Sequence, residues 1–523
     1  MDKTYYITTP IFYASGKPQV GNAYSAVLAD AIARYKKLQG YDVIFQTGMD
    51  EHGQKVEQKA EENSQNPQDF VDGISLEVKR VLESVNVDYT NFVRTTNPNH
   101  KEQVQKIFQK LYDKGDIYKG SYEGWYCTPC ESFFTESQLV DGKCPDCGRE
   151  VHKTKEEAYF LNLKKYEKWL KEYIENNKDY IVPETKRNEM LKFIEQGLDD
   201  LCVSRTSFDW GVKVPFDEKH VVYVWLDALT NYITFIGYGT DEEKFNKYWP
   251  ADLHIVGKDI LRFHTIYWPI MLKALELPIT KQVLGHPFLV DSKGEKMSKS
   301  KGNMLYADTL AKDFTADGVR YYLLSELGLL HDGNIGVDLI LDKYNSDLAN
   351  VLGNLVNRTI SMSKKYFDSK VYAPKAFEDV DKELIEQAKS LGDKVEEKMN
   401  NLKIAEAINE IFSLYKRSNK YIDETEPWVL AKDQEKEERL KTVLYNLLES
   451  IRIATVYLQA FLPETADKIF KQLNTENRGF DTTKDFKGMD PGITLSNPEI
   501  LFQRIDKEEY FKNKEEWKKY KIF

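Results

Sequence analysis

The fold is decided by residues 5–45, YYITTPIFYASGKPQVGNAYSAVLADAIARYKKLQGYDVIF. Residues 5–9 and residues 41–45 are both β-prone runs. After the first run, the chain is broken by turn-forming residues, namely Gly16, Pro18 and Gly21. A helix ending at Gly40 follows, because apolar side chains recur there at spacings of three and four residues, at Val27, Ala31, Tyr35 and Leu38. The stretch therefore predicts a β-α-β unit.

The same α/β pattern continues further along the chain. An amphipathic helix is predicted over residues 104–111, ending near Gly115. Residues 221–225 and 253–257 are nearly continuous apolar runs, which are typical of parallel strands buried on both faces. We therefore predict an α/β fold with a doubly wound parallel sheet.

Two other regions depart from this pattern. Residues 116–205 interrupt the α/β alternation and are predicted to form an insertion. Beyond about residue 340 the strand signals fade, and residues 380–421 and 435–473 have long helical patterns. Such long helices in succession predict an antiparallel helical bundle.

Length, composition and charge exclude several classes of protein. With 523 residues, 41% of them hydrophobic, the chain is long enough for roughly three to four domains and is too apolar for a disordered protein. Its formal net charge of −11 argues against a dedicated nucleic-acid binder, which would usually carry a basic surface. No apolar run approaches the ~20 residues that span a bilayer, and we find no secretory signal. We expect no membrane association.

The cysteines indicate a metal site. Four of the five form two C-x2-C pairs separated by thirteen residues, Cys127, Cys130, Cys144 and Cys147. Two such pairs complete a closed tetrahedral site, which is typical of one structural Zn²⁺ per chain. A dithiol redox motif is the alternative, but redox motifs do not usually come as two pairs at this spacing. Cys202 is expected to be an inert packing residue, and reduced cysteines of this kind favour a cytoplasmic location.

Four segments lie where the predicted strands present their carboxyl ends, the edge at which doubly wound sheets bind ligands. They are residues 10–22, 48–53, 256–264 and 296–300. The helix that begins near Gly21 directs its positive end at any phosphate, and the lysines of the last segment suit a pyrophosphate leaving group. Each segment alone has an ordinary explanation, as a turn, a helix cap or a solvated loop. Their joint placement around one sheet favours a functional site.

Several segments together resemble the methionyl-tRNA synthetases, a family of class I aminoacyl-tRNA synthetases. Residues 296–300 read KMSKS, a signature of that class. The other matching segments are residues 50–53 (DEHG), 224–229 (VWLDAL), 254–259 (HIVGKD), the cysteine pairs, Asn354 with Arg358, and residues 426–428 (EPW). The resemblance runs from Thr8 to about Arg504, which is nearly the whole chain.

The resemblance implies a domain order. A Rossmann-like catalytic domain would be split by a connective insertion and followed by an all-α anticodon-binding bundle. The implied ranges are 1–115 for the first catalytic half, 116–205 for the connective insertion with its zinc knuckle, 206–285 for the second catalytic half, 286–345 for the KMSKS loop and stem-contact region, and 346–523 for the anticodon-binding bundle with the C-terminal tail.

The resemblance also implies a reaction, that of a methionine–tRNA ligase. The carboxylate of L-methionine would attack the α-phosphate of ATP, which binds with Mg²⁺, to give methionyl-adenylate and pyrophosphate. The methionyl group would then pass to the terminal ribose of tRNA(Met). No enzyme nucleophile is needed, so catalysis would consist mainly of positioning and charge stabilisation.

Site residues carry over by the same resemblance. Lys296 and Lys299 would hold the phosphates, and Asp50 would pair with the methionine ammonium group. ATP would be bound by Gly21, Asp259 and Lys299. The implied methionine pocket comprises Ile11, Tyr13, Asp50, Trp225, Ala228, Leu229, Tyr232, Phe263 and His264. Aromatic walls suit a polarisable thioether, although ordinary core packing is the alternative explanation for the aromatic members.

In the helical region, Asn354 and Arg358 are four residues apart and so share a helix face. An amide beside a guanidinium can hydrogen-bond an unpaired base, and Trp428 can provide a stacking platform. By resemblance these residues read the CAU anticodon. An exposed polar pair and a buried tryptophan are the alternative explanation.

One segment departs from the family pattern. Residues 19–22 read QVGN where the family carries the HIGH signature, so both histidines are missing. Losing one hydrogen-bond donor of this kind typically costs ~10²–10³ in rate. Gln19 and Asn22 still offer neutral N–H donors, and Gly21 is retained. We therefore expect these residues to act in catalysis, and we favour an active enzyme over a degenerate paralogue that binds methionine or tRNA without adenylation.

Other class I ligases are a further alternative. The insertion of about 90 residues is too short for the large editing domain of the leucyl, isoleucyl and valyl enzymes. A cysteinyl enzyme would use zinc ligands spread through its catalytic domain. The chain ends at Phe523, about twenty residues past the end of the resembling core, which leaves no length for the OB-like dimerising domain of some members. We expect a monomer.

Overall fold

The computed structural model describes residues 3–130, 132–134, 136–145, 147–298 and 301–514. The chain divides into two units. The first draws on residues 1–29, 41–83 and 88–288, and the second on residues 30–40, 84–87 and 289–523. Within the described ranges, no helix combines the length and the apolar character needed to cross a membrane.

Strands occur in both units. In chain order they are β1 Thr4–Thr8, β2 Phe12–Tyr13, β3 Asp42–Asp50, β4 Asn91–Arg94, β5 Ile117–Cys127, β6 Ser132–Phe134, β7 His152–Leu161, β8 Ile181–Val182, β9 Leu201–Cys202, β10 Ser204–Arg205, β11 Lys213–Val214, β12 Asp217–Val222, β13 Leu253–Gly257, β14 Val283–His286, β15 Leu289–Asp291 and β16 Gly333–Ile335.

Helices also occur in both units. They are α1 Val20–Leu38, α2 Gln54–Glu62, α3 Pro67–Glu83, α4 Pro98–Asp113, α5 Glu167–Asn176, α6 Glu184–Glu195, α7 Val224–Thr234, α8 Glu242–Tyr248, α9 Trp268–Ala274, α10 Ala307–Ser325, α11 Val337–Lys343, α12 Asn354–Phe367, α13 Asp379–Asn400, α14 Ile404–Thr425, α15 Pro427–Leu430, α16 Glu437–Leu458, α17 Pro463–Leu473 and α18 Lys507–Asn513. Two π-helical segments, Phe263–Tyr267 and Tyr344–Gly353, precede α9 and α12.

The first unit is built on a parallel sheet of order β2-β3-β1-β13-β14-β8, with β4 added beside β3. Each neighbouring pair in this sheet is parallel. The predicted β-α-β unit is confirmed, because β1 pairs with β3 from Thr4↔Asp42 to Thr8↔Gln46 and α1 connects them. Strand β13 is buried along its whole length, as its apolar run predicted.

The prediction for residues 221–225 was wrong. Strand β12 ends at Val222 and pairs antiparallel with β10 and β11 in a separate small sheet, and helix α7 begins at Val224. A short, continuous apolar run is buried in either conformation, so periodicity cannot distinguish a strand from a buried helix. Here the run changes from strand to helix at Tyr223.

The predicted insertion contains an antiparallel sheet of order β6-β5-β7-β9. Its longest pairing joins β5 to β7, from Ile117↔Leu161 to Tyr126↔His152. Strand β8, although within residues 116–205, belongs to the main sheet, where Ile181 and Val182 pair with Val283 and Leu284 of β14. The insertion therefore returns to the main sheet before α6.

The C-terminal part of the second unit is helical, as predicted. The pattern over residues 380–421 corresponds to α13 and α14, separated at Leu402, which has a φ of 56°. The pattern over residues 435–473 corresponds to α16 and α17. Inside the bundle, Arg439 of α16 donates to both carboxylate oxygens of the buried Asp381 of α13, at 2.6 and 2.8 Å. This paired contact fixes α13 against α16.

Candidate functional site

Helix α1 begins at the carboxyl edge of the sheet, and residues 19–22 form its start. The Gln19 backbone N–H donates to Asn22 Oδ1 at 3.1 Å, and Asn22 N donates to the Gln19 carbonyl at 2.9 Å. Asn22 is exposed and Gly21 is half-buried. Because the amide oxygen of Asn22 is held by Gln19, its NH₂ group is the part available to an incoming anion. The helix start adds the partial positive charge of its unpaired N–H groups.

Helix α1 is tied to the end of β14 by Ser25 and His286. The Ser25 hydroxyl lies 2.6 Å from Nε2 of His286, and Nδ1 of His286 lies 2.9 Å from the Pro287 carbonyl. A carbonyl can only accept, so Nδ1 carries the proton and Nε2 accepts from Ser25. Burial lowers the pKa of His286 to about 4, so the ring is neutral at pH 7.

Asp50 ends β3 at the same edge. It is buried, and it pairs in parallel register with Tyr13 of β2, while its carbonyl accepts from Ala14 N at 2.9 Å. Asp259 follows β13, which is separated from β3 by β1, and is exposed. The Asp259 carboxylate folds back toward the end of β13, where a Cβ atom placed on Gly257 would lie 2.6 Å from Asp259 Oδ1. The edge therefore presents two carboxylates, one buried and one exposed.

A pocket wall forms between α7 and the π-helical segment that follows β13. The rings of Trp225 and Phe263 stack with centroids 3.8 Å apart and planes 13° apart. The Tyr232 hydroxyl lies 2.8 Å from Nε2 of His264, whose Nδ1 lies 3.0 Å from the Ile260 carbonyl. The Ile260 carbonyl can only accept, so Nδ1 of His264 carries the proton and Nε2 accepts from the Tyr232 hydroxyl. Burial lowers the pKa of His264 to about 4, so this polar pair is neutral.

The remaining residues predicted for this pocket lie beside it. Ala228 and Leu229 are buried on α7 between Trp225 and Tyr232. Tyr13 and Trp225 pack against one common hydrophobic core. Ile11 is half-buried in the segment between β1 and β2. The structure thus brings Trp225 and Tyr232 of α7 into contact with Phe263 and His264. Ile11 lies at the same sheet edge, and its position there is all that supports its place in the pocket.

A buried network behind this wall was not predicted. His52 Nδ1 lies 2.6 Å from Asp227 Oδ2, and His100 Nε2 lies 2.8 Å from Asp227 Oδ1. Nδ1 of His100 lies 2.8 Å from the Thr234 hydroxyl. Burial raises the pKa of Asp227, but the two imidazoles outweigh it and lower that pKa to about 2. The carboxylate therefore ties α7 to α4 and to the segment that follows Asp50.

The sequence signals for that network are an aspartate inside the apolar run of residues 221–229 and His52 in the DEHG segment. A second missed contact is made by Glu51, which is fully buried and pairs with Arg94 at 2.7 Å. Burial raises the pKa of Glu51, although Arg94 and Thr96 oppose that shift. Both contacts hold the segment after β3 in place.

The lysine loop belongs to the second unit. Lys296 is exposed, Met297 is buried, and Lys299 and Ser300 lie outside the described residues. Two side chains form a frame at the base of the loop, the buried Asp291 and Asn303. Asn303 Nδ2 donates to Asp291 Oδ2 at 2.8 Å, and Asn303 Oδ1 accepts from Ser298 N at 2.8 Å. The frame fixes the described ends of the loop.

The four paired cysteines form one cluster. Their sulfur atoms all lie within 4.8 Å of one another, and none is in a disulfide. Cys127 Sγ is 3.5 Å from Cys147 Sγ, and Cys130 Sγ is 3.8 Å from Cys144 Sγ. Four sulfurs held ~2.3 Å from a tetrahedral ion would be about 3.8 Å apart, so the set fits one metal ion with no open position. Cys202 lies elsewhere, where its sulfur accepts from Arg205 at 3.0 Å.

The base-reading candidates lie in the helical part of the second unit. Asn354 is exposed at the start of α12, and Arg358 is half-buried one turn later. Nη2 of Arg358 is 3.8 Å from Oδ1 of Asp423 near the end of α14, five residues before Trp428. Trp428 is 38% exposed, which contradicts the alternative of a buried tryptophan. Arg358 thus lies beside the end of α14, which leads into α15 with Trp428.

Comparison with known families gives two matches. The family model described as tRNA synthetases class I (M) matches residues 5–156 and 150–360. The model described as the anticodon binding domain of methionyl tRNA ligase matches residues 371–521. Together they cover most of the chain.

Individual relatives are similar over almost the whole chain. The methionine–tRNA ligase of Clostridium acetobutylicum is 56% identical over 506 residues, which are 96% of this chain and 78% of that protein. The Bacillus subtilis enzyme is 48% identical over 533 residues, 98% of this chain and 80% of that protein. Among solved structures, Mycobacterium tuberculosis methionyl-tRNA synthetase in complex with methionyl-adenylate has a TM-score of 0.93 and 41% identity, covering 96% of this chain and 100% of that one.

Proposed function

The chain belongs to the class I methionyl-tRNA synthetases, and from this membership we propose how its residues divide the work of the enzyme. It is a methionine–tRNA ligase, which activates methionine with ATP and charges tRNA. The observation that carries the assignment of residues is the pocket wall of Trp225, Phe263, Tyr232 and His264 at the sheet edge that also holds Asp50.

Methionine is recognised by an apolar wall with one neutral polar pair. The stacked rings of Trp225 and Phe263 offer polarisable surface to the thioether, and contacts between sulfur and aromatic rings are favourable. Tyr232 and His264 add weak hydrogen bonding without a charge. Asp50 pairs with the ammonium group of methionine. The remaining members of the pocket are Ile11, Tyr13, Ala228 and Leu229.

The carboxylate of methionine then acts as the nucleophile. It forms a bond to the α-phosphorus of ATP while the bond from that phosphorus to the bridging oxygen of pyrophosphate breaks. The protein stabilises charge on the phosphates with the lysines of the KMSKS loop, Lys296 and Lys299, and supplies donors at the start of α1. ATP also contacts Gly21 and Asp259, and Mg²⁺ accompanies the nucleotide.

We propose that residues 19–22, QVGN, have the role of the class I HIGH signature. Asn22 supports this, because its oxygen is bound by Gln19 N and its NH₂ group is exposed at the sheet edge. An amide donor is neutral and therefore weaker than an imidazolium, but it can donate to the same kind of phosphate oxygen. Gln19 and Asn22 are thus donors in the adenylation step.

The cysteine cluster holds one Zn²⁺ in a structural role. The ion would supply four bonds that fix the tip of the insertion, where the chain has few buried apolar residues of its own. In the helical bundle, Asn354, Arg358 and Trp428 contact the anticodon of tRNA(Met). A monomeric state and a cytoplasmic location remain predictions, which sedimentation and fractionation measure.

Methionine-dependent exchange of pyrophosphate into ATP tests the function. We expect exchange with methionine and with no other protein amino acid. Exchange driven by leucine, isoleucine, valine or cysteine would assign the chain to another class I specificity. Methionine binding without any exchange would identify a degenerate paralogue.

A further inference from the structure

Helix α7 has two faces with different contacts. The face toward the proposed methionine pocket carries four residues at helical spacing, Trp225, Ala228, Leu229 and Tyr232. The opposite face carries three buried polar residues, Asp227, Asn231 and Thr234. Asp227 comes two positions after Trp225, which is about 200° around the helix axis. The polar face therefore points away from the pocket, and each of its three residues bonds to a side chain on another element.

Two of these bonds reach β3 and the segment that follows it. His52 Nδ1 lies 2.6 Å from Asp227 Oδ2. Gln46 Nε2 donates to Asn231 Oδ1 at 2.9 Å and to the Asn231 carbonyl at 3.1 Å. Gln46 precedes Asp50 by four residues, and His52 follows it by two. Asp50 thus lies between two points at which its own stretch of chain is bonded to α7.

The carboxylate of Asp227 is fully engaged by these contacts. His52 binds one of its oxygens, and His100 Nε2 lies 2.8 Å from the other, Oδ1. Hydrogen bonds to an ionised carboxylate are shorter and stronger than those between neutral groups, and burial increases the cost of losing one. Asp227 is therefore not a second partner for an ammonium group. It holds α7 in one position relative to β3 and α4.

We propose that Asp227, Asn231, His52 and Gln46 are positioning residues, which fix the span between the Asp50 carboxylate and the pocket wall and so select the length of the substrate side chain. The inference rests on the function proposed above and deepens it. In that function the amino acid is held at both ends, by its ammonium group and by its thioether. A packed interior does not adjust freely to one methylene, which changes specificity about 10- to 200-fold in an apolar pocket.

Asp227→Asn in the full-length enzyme tests the proposal, because the amide keeps the shape of the side chain and loses the charge that both imidazoles bind. The quantity measured is the specificity ratio, which is kcat/KM for methionine divided by kcat/KM for ethionine in pyrophosphate exchange. Ethionine has one methylene more than methionine, beyond the sulfur. We expect the specificity ratio to fall about tenfold, a part of what one methylene contributes. The corresponding ratio for S-methylcysteine, which is one methylene shorter, should also fall.

Substitutions of His52 separate positioning from stability. In His52→Asn the amide nitrogen is two bonds beyond Cβ, as Nδ1 is in histidine, so a bond to Asp227 can still form. His52→Gln moves the donor one bond further, and His52→Ala removes it. We expect the specificity ratio of His52→Asn to stay within about threefold of the original enzyme, and that of the other two variants to fall about tenfold. A loss of folded protein alone lowers kcat for methionine and ethionine equally and leaves the ratio unchanged.

His220→Ala is the matched control. His220 is a buried histidine of β12, and its Nδ1 lies 3.0 Å from the Ser204 hydroxyl. Its loss should lower the Tm without altering the specificity ratio. An unchanged or higher ratio in Asp227→Asn, or equal ratios in His52→Asn and His52→Gln, would overturn the proposal. A failure of the original enzyme to exchange pyrophosphate with methionine would instead reject the proposed function.

Discussion

Tyr232 and His264 form a neutral hydrogen-bonded pair in the wall of the proposed methionine pocket, with 2.8 Å between the phenol oxygen and Nε2. Nδ1 of His264 is committed to the Ile260 carbonyl, so the direction of the bond is fixed. A charged imidazolium would attract water and anions into a pocket that must hold a thioether. The pairing instead leaves the pocket polar enough to orient sulfur and too apolar to hold a charged side chain.

Replacing Tyr232 with phenylalanine removes the donor and leaves a buried Nε2 without a partner. An unsatisfied buried group costs about 1–3 kcal/mol, or roughly 5- to 150-fold in binding. We expect the KM for methionine in pyrophosphate exchange to rise by that factor, with kcat changed much less. Tyr238→Phe, at a half-buried tyrosine near the end of α7, is the control. An unchanged KM would exclude a role for this hydroxyl.

Asn22→Ala removes the exposed amide donor at the start of α1. Loss of one donor to a developing charge costs on the order of 10² in rate, so adenylate formation should slow by that order. Methionine affinity, measured by calorimetry without ATP, should stay within twofold. Asn22→His should retain activity because it restores an imidazole, and Asn177→Ala is a surface control. A normal rate in Asn22→Ala would show that this segment has no catalytic role.

Cys144→Ser tests the metal site. The sulfur cluster has no spare ligand, so we expect zinc content to fall from one ion per chain to none, with a lower Tm. Elemental analysis of the purified protein measures the metal. Cys202→Ser is the matched control, because Cys202 lies outside the cluster and a serine there can still accept from Arg205. Equal metal content in the two variants would contradict the assignment.

The burial of His264 predicts a fall in stability on mild acidification. The pKa of His264 is lowered by burial from about 6.5 to about 4. Below pH 6.5 His264 binds a proton in the unfolded chain but not in the folded protein. The free energy of unfolding therefore decreases as the pH falls, and His264 contributes no further decrease below about pH 4. The loss is at most about 3 kcal/mol. Denaturant unfolding between pH 7.5 and 4.5 measures it, and His264→Gln should give a shallower fall. Parallel curves for the two proteins would refute this origin.

Asn303→Ala removes the frame of the KMSKS loop. Asn303 joins Asp291 to Ser298 N through two bonds of 2.8 Å, so its loss frees the loop that carries Lys296. We expect pyrophosphate exchange to fall about tenfold at low ATP, the cost of one or two hydrogen bonds, with methionine affinity unchanged. Asn334→Ala, an exposed asparagine of the same unit, should behave normally. A change confined to methionine affinity would argue against the frame.

The elements that could be predicted from the sequence are those with a single physical explanation. Strand β1 has a β-prone sequence and helix α1 has apolar residues at helical spacing, and the cysteine spacing fits a closed metal site. Residues 221–225 were misassigned because a continuous apolar run is compatible with a strand and a helix. Burial patterns alone cannot resolve that choice.

The missed contacts have a different cause. Asp227 binds His52 and His100, which are 175 and 127 positions away in the sequence. No residue spacing links either histidine to Asp227, so their contact could not be predicted. The Asp291–Asn303 frame is local, twelve residues across, but its bonds depend on the turn that the intervening loop adopts. Such contacts form only when the folded chain brings the residues together, and the spacing of residues in the sequence does not predict them.

Strand β8 has a practical consequence for protein engineering. Because Ile181 and Val182 complete one end of the main sheet, the region from 116 to 205 is not a removable cassette. Cutting it out would strip β14 of its outer neighbour and expose its backbone groups. A shorter excision of residues 128–151 would remove the tip that carries three of the four clustered cysteines and leave the β5–β7 pairing to close the gap. Chimaeras that exchange tips between relatives should therefore be joined on these two strands.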